Sequence, residues 1–101
     1  MRTSVRAIVR VRLAPWLPRE AFEAWLRALR AVEWAALLTG DADYELQVEC
    51  RSLAGLGDAL TRIRACPGVT VESSALILRE VTGLVEQRRV PPDEVTSDAC
   101  A

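Results

Sequence analysis

The chain has 101 residues, 50% of them hydrophobic, with 13 basic and 14 acidic side chains, a formal net charge of −1 and no histidine. That length makes one small domain, and the near-balanced charge excludes the basic stripe on which duplex DNA binding by the chain alone would depend. The missing histidine removes the commonest general base, metal ligand and haem ligand, so no cofactor, no metal and no catalytic residue are expected.

In chain order, Val5 to Leu13 alternates, with Val5, Ala7, Val9, Val11 and Leu13 on one side and Arg6, Ile8, Arg10 and Arg12 on the other, which predicts a strand with one apolar face. Ala14-Pro15-Trp16-Leu17-Pro18 breaks it. Pro18 before Arg19-Glu20-Ala21 marks a helix start, and Phe22, Trp25, Leu26 and Leu29 at i, i+3, i+4, i+7 form its buried stripe, with Glu23, Arg27 and Arg30 pointing elsewhere. Val32 to Thr39 reads as a second strand with two apolar faces. Thr39-Gly40-Asp41-Ala42-Asp43-Tyr44 is a hairpin tip in which glycine supplies positive φ and aspartates bond nearby backbone. Beyond it, Tyr44, Leu46, Val48 and Cys50 alternate with Glu45, Gln47 and Glu49 in a third strand. Ser52 offers an N-cap, and Leu53, Leu56, Leu60 and Ile63 give a second helical stripe ending at Cys66-Pro67-Gly68. Val69 to Val81 predicts a last strand, with Glu72, Ser74, Leu76 and Leu78 on one face. Residues 88–101 lack period and aromatics and read as a disordered tail behind a domain over 1–87.

Cys50, Cys66 and Cys100 are odd in number and unevenly spaced, which excludes a disulfide framework. All basic residues are arginine, a composition that suits bidentate carboxylate recognition and follows equally from genomic bias. No apolar run approaches the roughly 20 residues of a membrane span, and the N-terminal residues lead into a strand instead of a signal segment; a cytoplasmic protein without membrane contact is expected.

The order strand, helix, strand, strand, helix, strand is the ferredoxin-like α+β unit, βαββαβ, for which right-handed crossovers give sheet order 4-1-3-2 with both helices on one face. On the opposite face Arg6, Arg10 and Arg12 of the first strand meet Glu45, Gln47 and Glu49 of the third, so topology and charge pattern agree. The same alternation puts Ile8, Leu37, Leu76 and Leu78 on that open face, a surface through which a small domain would associate.

From Val5 to Val81 the chain resembles the effector-binding and oligomerisation domain of Lrp/AsnC transcription regulators, the RAM domain. The likeness rests on Thr39-Gly40-Asp41-Ala42-Asp43-Tyr44 at the hairpin, Ser52-Leu53 at the second helix, the turn Cys66-Pro67-Gly68-Val69, and Ser74 to Val81 at the closing strand. It implies dimers joined through their sheets, rings of such dimers, and small molecules such as amino acids bound between dimers, at Gly40, Asp41, Asp43, Tyr44 and Ser74. Full-length members carry a helix-turn-helix domain ahead of this module. Here four residues precede the first strand, as in stand-alone members, so no direct contact with nucleic acid is expected. Glu72 stands where many members have a small hydroxyl residue and adds negative charge near the implied pocket.

Three functions follow. The first is a non-enzymatic oligomeric sensor in which Asp41 or Asp43 attracts an α-ammonium and Ser74 with turn N–H groups receives an α-carboxylate. The second is a small dimeric enzyme of monooxygenase-like type on the same scaffold, which the absence of histidine makes hard to staff. The third is a pure oligomerisation partner of a full-length Lrp/AsnC regulator.

Overall fold

The computed structural model describes residues 4–84; the tail expected over 88–101, Cys100 and the expected domain limit at residue 87 lie outside the described residues. The elements are β1 (Val5–Leu13), α1 (Arg19–Arg27), β2 (Val32–Leu37), β3 (Tyr44–Cys50), α2 (Leu53–Ala65) and β4 (Val69–Leu76). They form one antiparallel sheet in the order β2-β3-β1-β4, which is the expected 4-1-3-2 read from the other edge.

The core forms between the helices and the apolar side of the central strands. Ala7, Val9 and Val11 of β1 and Tyr44, Leu46 and Val48 of β3 are buried against Phe22 and Leu26 of α1 and Leu56 and Ile63 of α2. Pro18 is the N-cap of α1, and its carbonyl accepts the Phe22 N–H. The Ser52 hydroxyl caps α2 by accepting the Gly55 N–H at 3.0 Å, offsetting the weak helix propensity of Gly55 and Gly57. Leu53, read as part of the α2 stripe, is instead exposed at the first turn. The Cys66-Pro67-Gly68 turn closes back on the loop after β1: Gly68 has φ +85, its carbonyl accepts the Ala14 N–H at 2.7 Å, and a Cβ there would stand 2.9 Å from the Trp16 ring.

Both edge strands carry a β-bulge, and the bulges correct the assignment of faces. β2 pairs Val32 with Val48 and then Trp34 with Gln47, so Glu33 is the extra residue; β4 pairs Val71 with Val11 and then Ser73 with Arg10, so Glu72 is the extra residue. One inserted residue reverses every side chain after it. Leu37 therefore falls on the helix side with Tyr44, and Trp34 comes to the open face beside Gln47. Ser74 and Leu76 likewise fall on the helix side, beside Val9 and Ala7, although both stay exposed at the sheet edge. β4 ends at Leu76, short of the expected Val81; only Ile77 continues the pairing, donating its N–H to the Arg6 carbonyl at 2.9 Å, and Leu78 is 93% exposed beyond the sheet.

The bulged glutamates both serve β1. Glu33 and Glu49 lie 3.4 and 3.6 Å from the Arg6 Nε, and Glu80 accepts a hydrogen bond from the other end of the same guanidinium. Arg10 pairs with Glu45 at 3.0 Å and Arg12 with Glu72 at 3.3 Å. The charge that Glu72 was expected to add near a pocket is thus taken up by Arg12. Its surroundings raise the Arg6 pKa, first through the Glu80 hydrogen bond and then through Glu33, while burial and a hydrogen bond with Glu49 raise that of Glu33. Between these paired rows runs an uncharged one that crosses the whole sheet, Trp34, Gln47, Ile8 and Ala75.

Candidate functional site

The hairpin between β2 and β3 holds a polar tip over the end of β1. The Leu38 N–H donates to the Asp43 carbonyl at 2.8 Å, and Gly40 takes φ +112, a conformation that side-chain-bearing residues rarely adopt. The Asp43 N–H donates to the Val11 carbonyl at 2.9 Å, and its Oδ2 accepts the Leu13 N–H at 2.6 Å. As the β3 backbone turns away from β1, the Asp43 carboxylate supplies the acceptor that the ladder no longer provides. Asp43→Ala should orphan the half-buried Leu13 N–H and cost about 1–3 kcal/mol, whereas Asp43→Asn keeps an acceptor oxygen and most of the stability. Urea melts of the two variants check this.

At the base of the hairpin Tyr44 is buried against the Phe22 ring, centroids 5.0 Å apart, and its hydroxyl donates to Glu23 of α1. Burial first, and the hydrogen bond to the Glu23 carboxylate second, push the phenol up to about 12. Between its ordinary value near 10 and that value the folded chain keeps a proton that the unfolded chain has lost, so stability falls as pH rises through this window. The loss is at most about 2–3 kcal/mol. Tyr44 is the sole tyrosine, so an alkaline ultraviolet titration should place its ionisation near pH 12, and Tyr44→Phe should abolish this part of the alkaline loss in melting temperature.

Between α1 and the edge strand β2 lies a cleft of about 320 Å³, open to solvent along one side, with Tyr44 at its hairpin end. Leu26, Val32, Ala35 and Leu37 supply apolar surface, and Glu23 and Arg27, one turn apart on α1, supply opposite charges. Of the five residues singled out in the sequence, only Tyr44 lines this cleft. Gly40 and Asp41 are exposed at the tip, and Asp43 clasps β1. Ser74 sits beside Val9 on one flank of β1 while Tyr44 sits beside Val11 on the other. Two strand spacings and a two-residue offset put these backbones roughly 12 Å apart, so Ser74 and the hairpin do not meet in one chain. Glu23, Arg27 and Leu37 were missed. The i, i+4 acid–base pair was legible on α1, but which way it faced depended on where β2 lay, and the β2 bulge decided the side for Leu37.

The family model for the Lrp/AsnC ligand binding domain matches residues 6–83. Among solved structures, a feast/famine regulatory protein from M. tuberculosis complexed with L-methionine is 30% identical, with a TM-score of 0.69 over 86% of this chain and 57% of that chain. The M. tuberculosis leucine response regulatory protein LrpA is also 30% identical, with a TM-score of 0.67 over 78% of this chain and 53% of that one. AsnC of E. coli, at 22% identity and a TM-score of 0.69 over 75% of this chain and 52% of that one, shares the fold. The chain thus spans a little over half the length of these solved relatives. No curated protein matches it.

Proposed function

The chain belongs to the Lrp/AsnC ligand-binding family, and we propose on that premise that it binds an amino acid or a closely related metabolite and answers by changing its assembly. It acts as a non-enzymatic effector module linked to transcription regulation. The observation that carries this reading is the α1–β2 cleft, which offers Arg27 to a carboxylate, Glu23 to an ammonium and apolar surface to a side chain, and which ends at the hairpin. Asp41, exposed with Gly40 at the hairpin tip, is the further carboxylate that this reading assigns to the ammonium. An open cleft gives such charge pairs only about 0–1 kcal/mol each, so a second subunit must close it. Ser74, too far away within one chain, belongs on the surface that the neighbouring subunit brings. That L-methionine is bound in the complex of the M. tuberculosis relative makes it the first ligand to try.

Assembly begins at the open face of the sheet, where the row Trp34, Gln47, Ile8 and Ala75 lies between rows whose arginines are already paired. The same row favours a second reading, a subunit that joins a full-length regulator through its sheet and binds nothing itself. An enzymatic reading gains little from the cleft, since its nearest approach to an acid–base pair, Tyr44 with Glu23, holds the phenol protonated up to about pH 12.

Calorimetric titration with L-methionine separates these readings. The proposal expects saturable binding that Arg27→Gln and Asp41→Asn each weaken by about threefold or more. Absence of heat with any proteinogenic amino acid would leave the assembly-only reading.

A further inference from the structure

A second cleft, of about 360 Å³ and more enclosed than the first, lies between the connection that follows α1 and the helix α2. Gly55, Asp58, Ala59, Arg62 and Ile63 fall on one face of α2 by their i, i+3, i+4, i+7, i+8 spacing and form one wall. The connection from Ala28 to Val32 forms the other, with Leu29 half-buried and Arg30 exposed. The floor is apolar, since Ile63 is fully buried and Leu29, Ala59 and Val32 pack on the core. The rim carries both signs of charge. Asp58 and Arg62, one turn apart on α2, could pair, and Arg30 faces them, yet among the described residues none of the three forms an ion pair or hydrogen bond. The sheet face differs, for there each of the β1 arginines is paired with glutamate.

We infer that this α1–α2 cleft is a second small-molecule site, for an aliphatic zwitterion such as a branched-chain α-amino acid. Asp58 receives the ammonium, Arg62 and Arg30 receive the carboxylate, and the side chain covers Leu29, Ala59 and Ile63. Two arginines against one aspartate make the carboxylate the stronger handle, and the apolar floor rejects a polar side chain. The volume suits a molecule of this size. Nothing in this assignment uses Glu23, Arg27 or the hairpin, so it stands or falls apart from the α1–β2 site.

The test is an amide-resolved NMR titration of the full chain with L-leucine to about 20 mM, a range that covers the weak affinity expected of a partly open site. Saturable shifts are expected at Gly55, Ala59, Ile63 and Ala31. Asp58→Asn and Arg62→Gln should each raise the half-saturation concentration by about threefold or more. Ala59→Leu, which fills the cleft, should abolish the shifts; should that variant fail to fold, the two charge variants carry the test. 4-Methylpentanoate, which lacks the ammonium, should bind more weakly than leucine and 3-methylbutylamine, which lacks the carboxylate, more weakly still. Shifts confined to residues 34–44, no shifts, equal binding of 4-methylpentanoate, or shifts at the cleft that follow protein concentration without leucine would each overturn the inference, the last by making a second copy the occupant.

Discussion

Ile8→Glu should dissociate the assembly while leaving the protomer folded. Ile8 lies on β1 at the middle of the uncharged row, flanked on the open face by Arg6 and Arg10 and laterally by Gln47 and Ala75. In the isolated protomer a glutamate there would stand in solvent between two arginines, so the core on the other side of β1 has no reason to change. In a two-fold contact through this face the substitution appears twice, and the face already sets Glu33, Glu45, Glu49, Glu72 and Glu80 against Arg6, Arg10 and Arg12. Burying an uncompensated charge costs about 3–5 kcal/mol, so association should weaken by a factor of a hundred or more. Sedimentation at micromolar concentration should show a monomer with wild-type circular dichroism. Ile8→Leu should stay assembled. Leu76→Glu, which the bare alternation of β4 would have chosen, alters the helix side of an edge strand and is a poor probe of this contact.

Phe22→Ala should be the most destabilising single change near the candidate site. Phe22 is fully buried, lies 5.0 Å from the Tyr44 ring and 6.1 Å from that of Trp25, and spans the space between α1 and β3. Truncating such a ring costs about 3–5 kcal/mol, a large share of the 5–15 kcal/mol typical of a small domain. At roughly 4–8 °C per kcal/mol the melting temperature should drop by about 12 °C or more. Because Phe22 supports Tyr44, whose hydroxyl holds Glu23, ligand binding in the α1–β2 cleft should fall with it even where the variant remains folded. A loss below about 1 kcal/mol would mean that the contact between α1 and β3 is not the centre of the core.

The alternation of β1 and β3 was legible because both are central strands without interruption. Val9, Val11, Leu46 and Val48 fell inside as their period required, and the facing arginines and glutamates agreed with the strand order that right-handed crossovers give. The edge strands were not legible in the same way. A bulge leaves no mark in a period-2 count, and here each bulged residue is a glutamate drawn out of step by an arginine on β1, Glu33 by Arg6 and Glu72 by Arg12. Trp34, Leu37, Ser74 and Leu76 changed faces for that reason. The hairpin was legible as a turn with a glycine at positive φ, but the division of labour between its aspartates was not. Asp43 faces back to Leu13 because the β1–β3 ladder ends one residue before the turn, and no local pattern announces that. The cleft beside α1 needs Glu23, Arg27, Ala35 and Leu37 together, residues from two elements whose relative placement follows only from the packed sheet.

If ligand binding and assembly are linked through the hairpin end of the α1–β2 cleft, sedimentation velocity of the wild-type chain over an L-methionine titration should show it. The expected result is a dimer or larger species at micromolar concentration whose mass distribution shifts toward larger assemblies as methionine saturates, with the shift reduced in Arg27→Gln and Asp41→Asn. A wild-type chain that stays monomeric throughout, or an assembly whose mass is unmoved by saturating methionine that calorimetry shows to be bound, would contradict it.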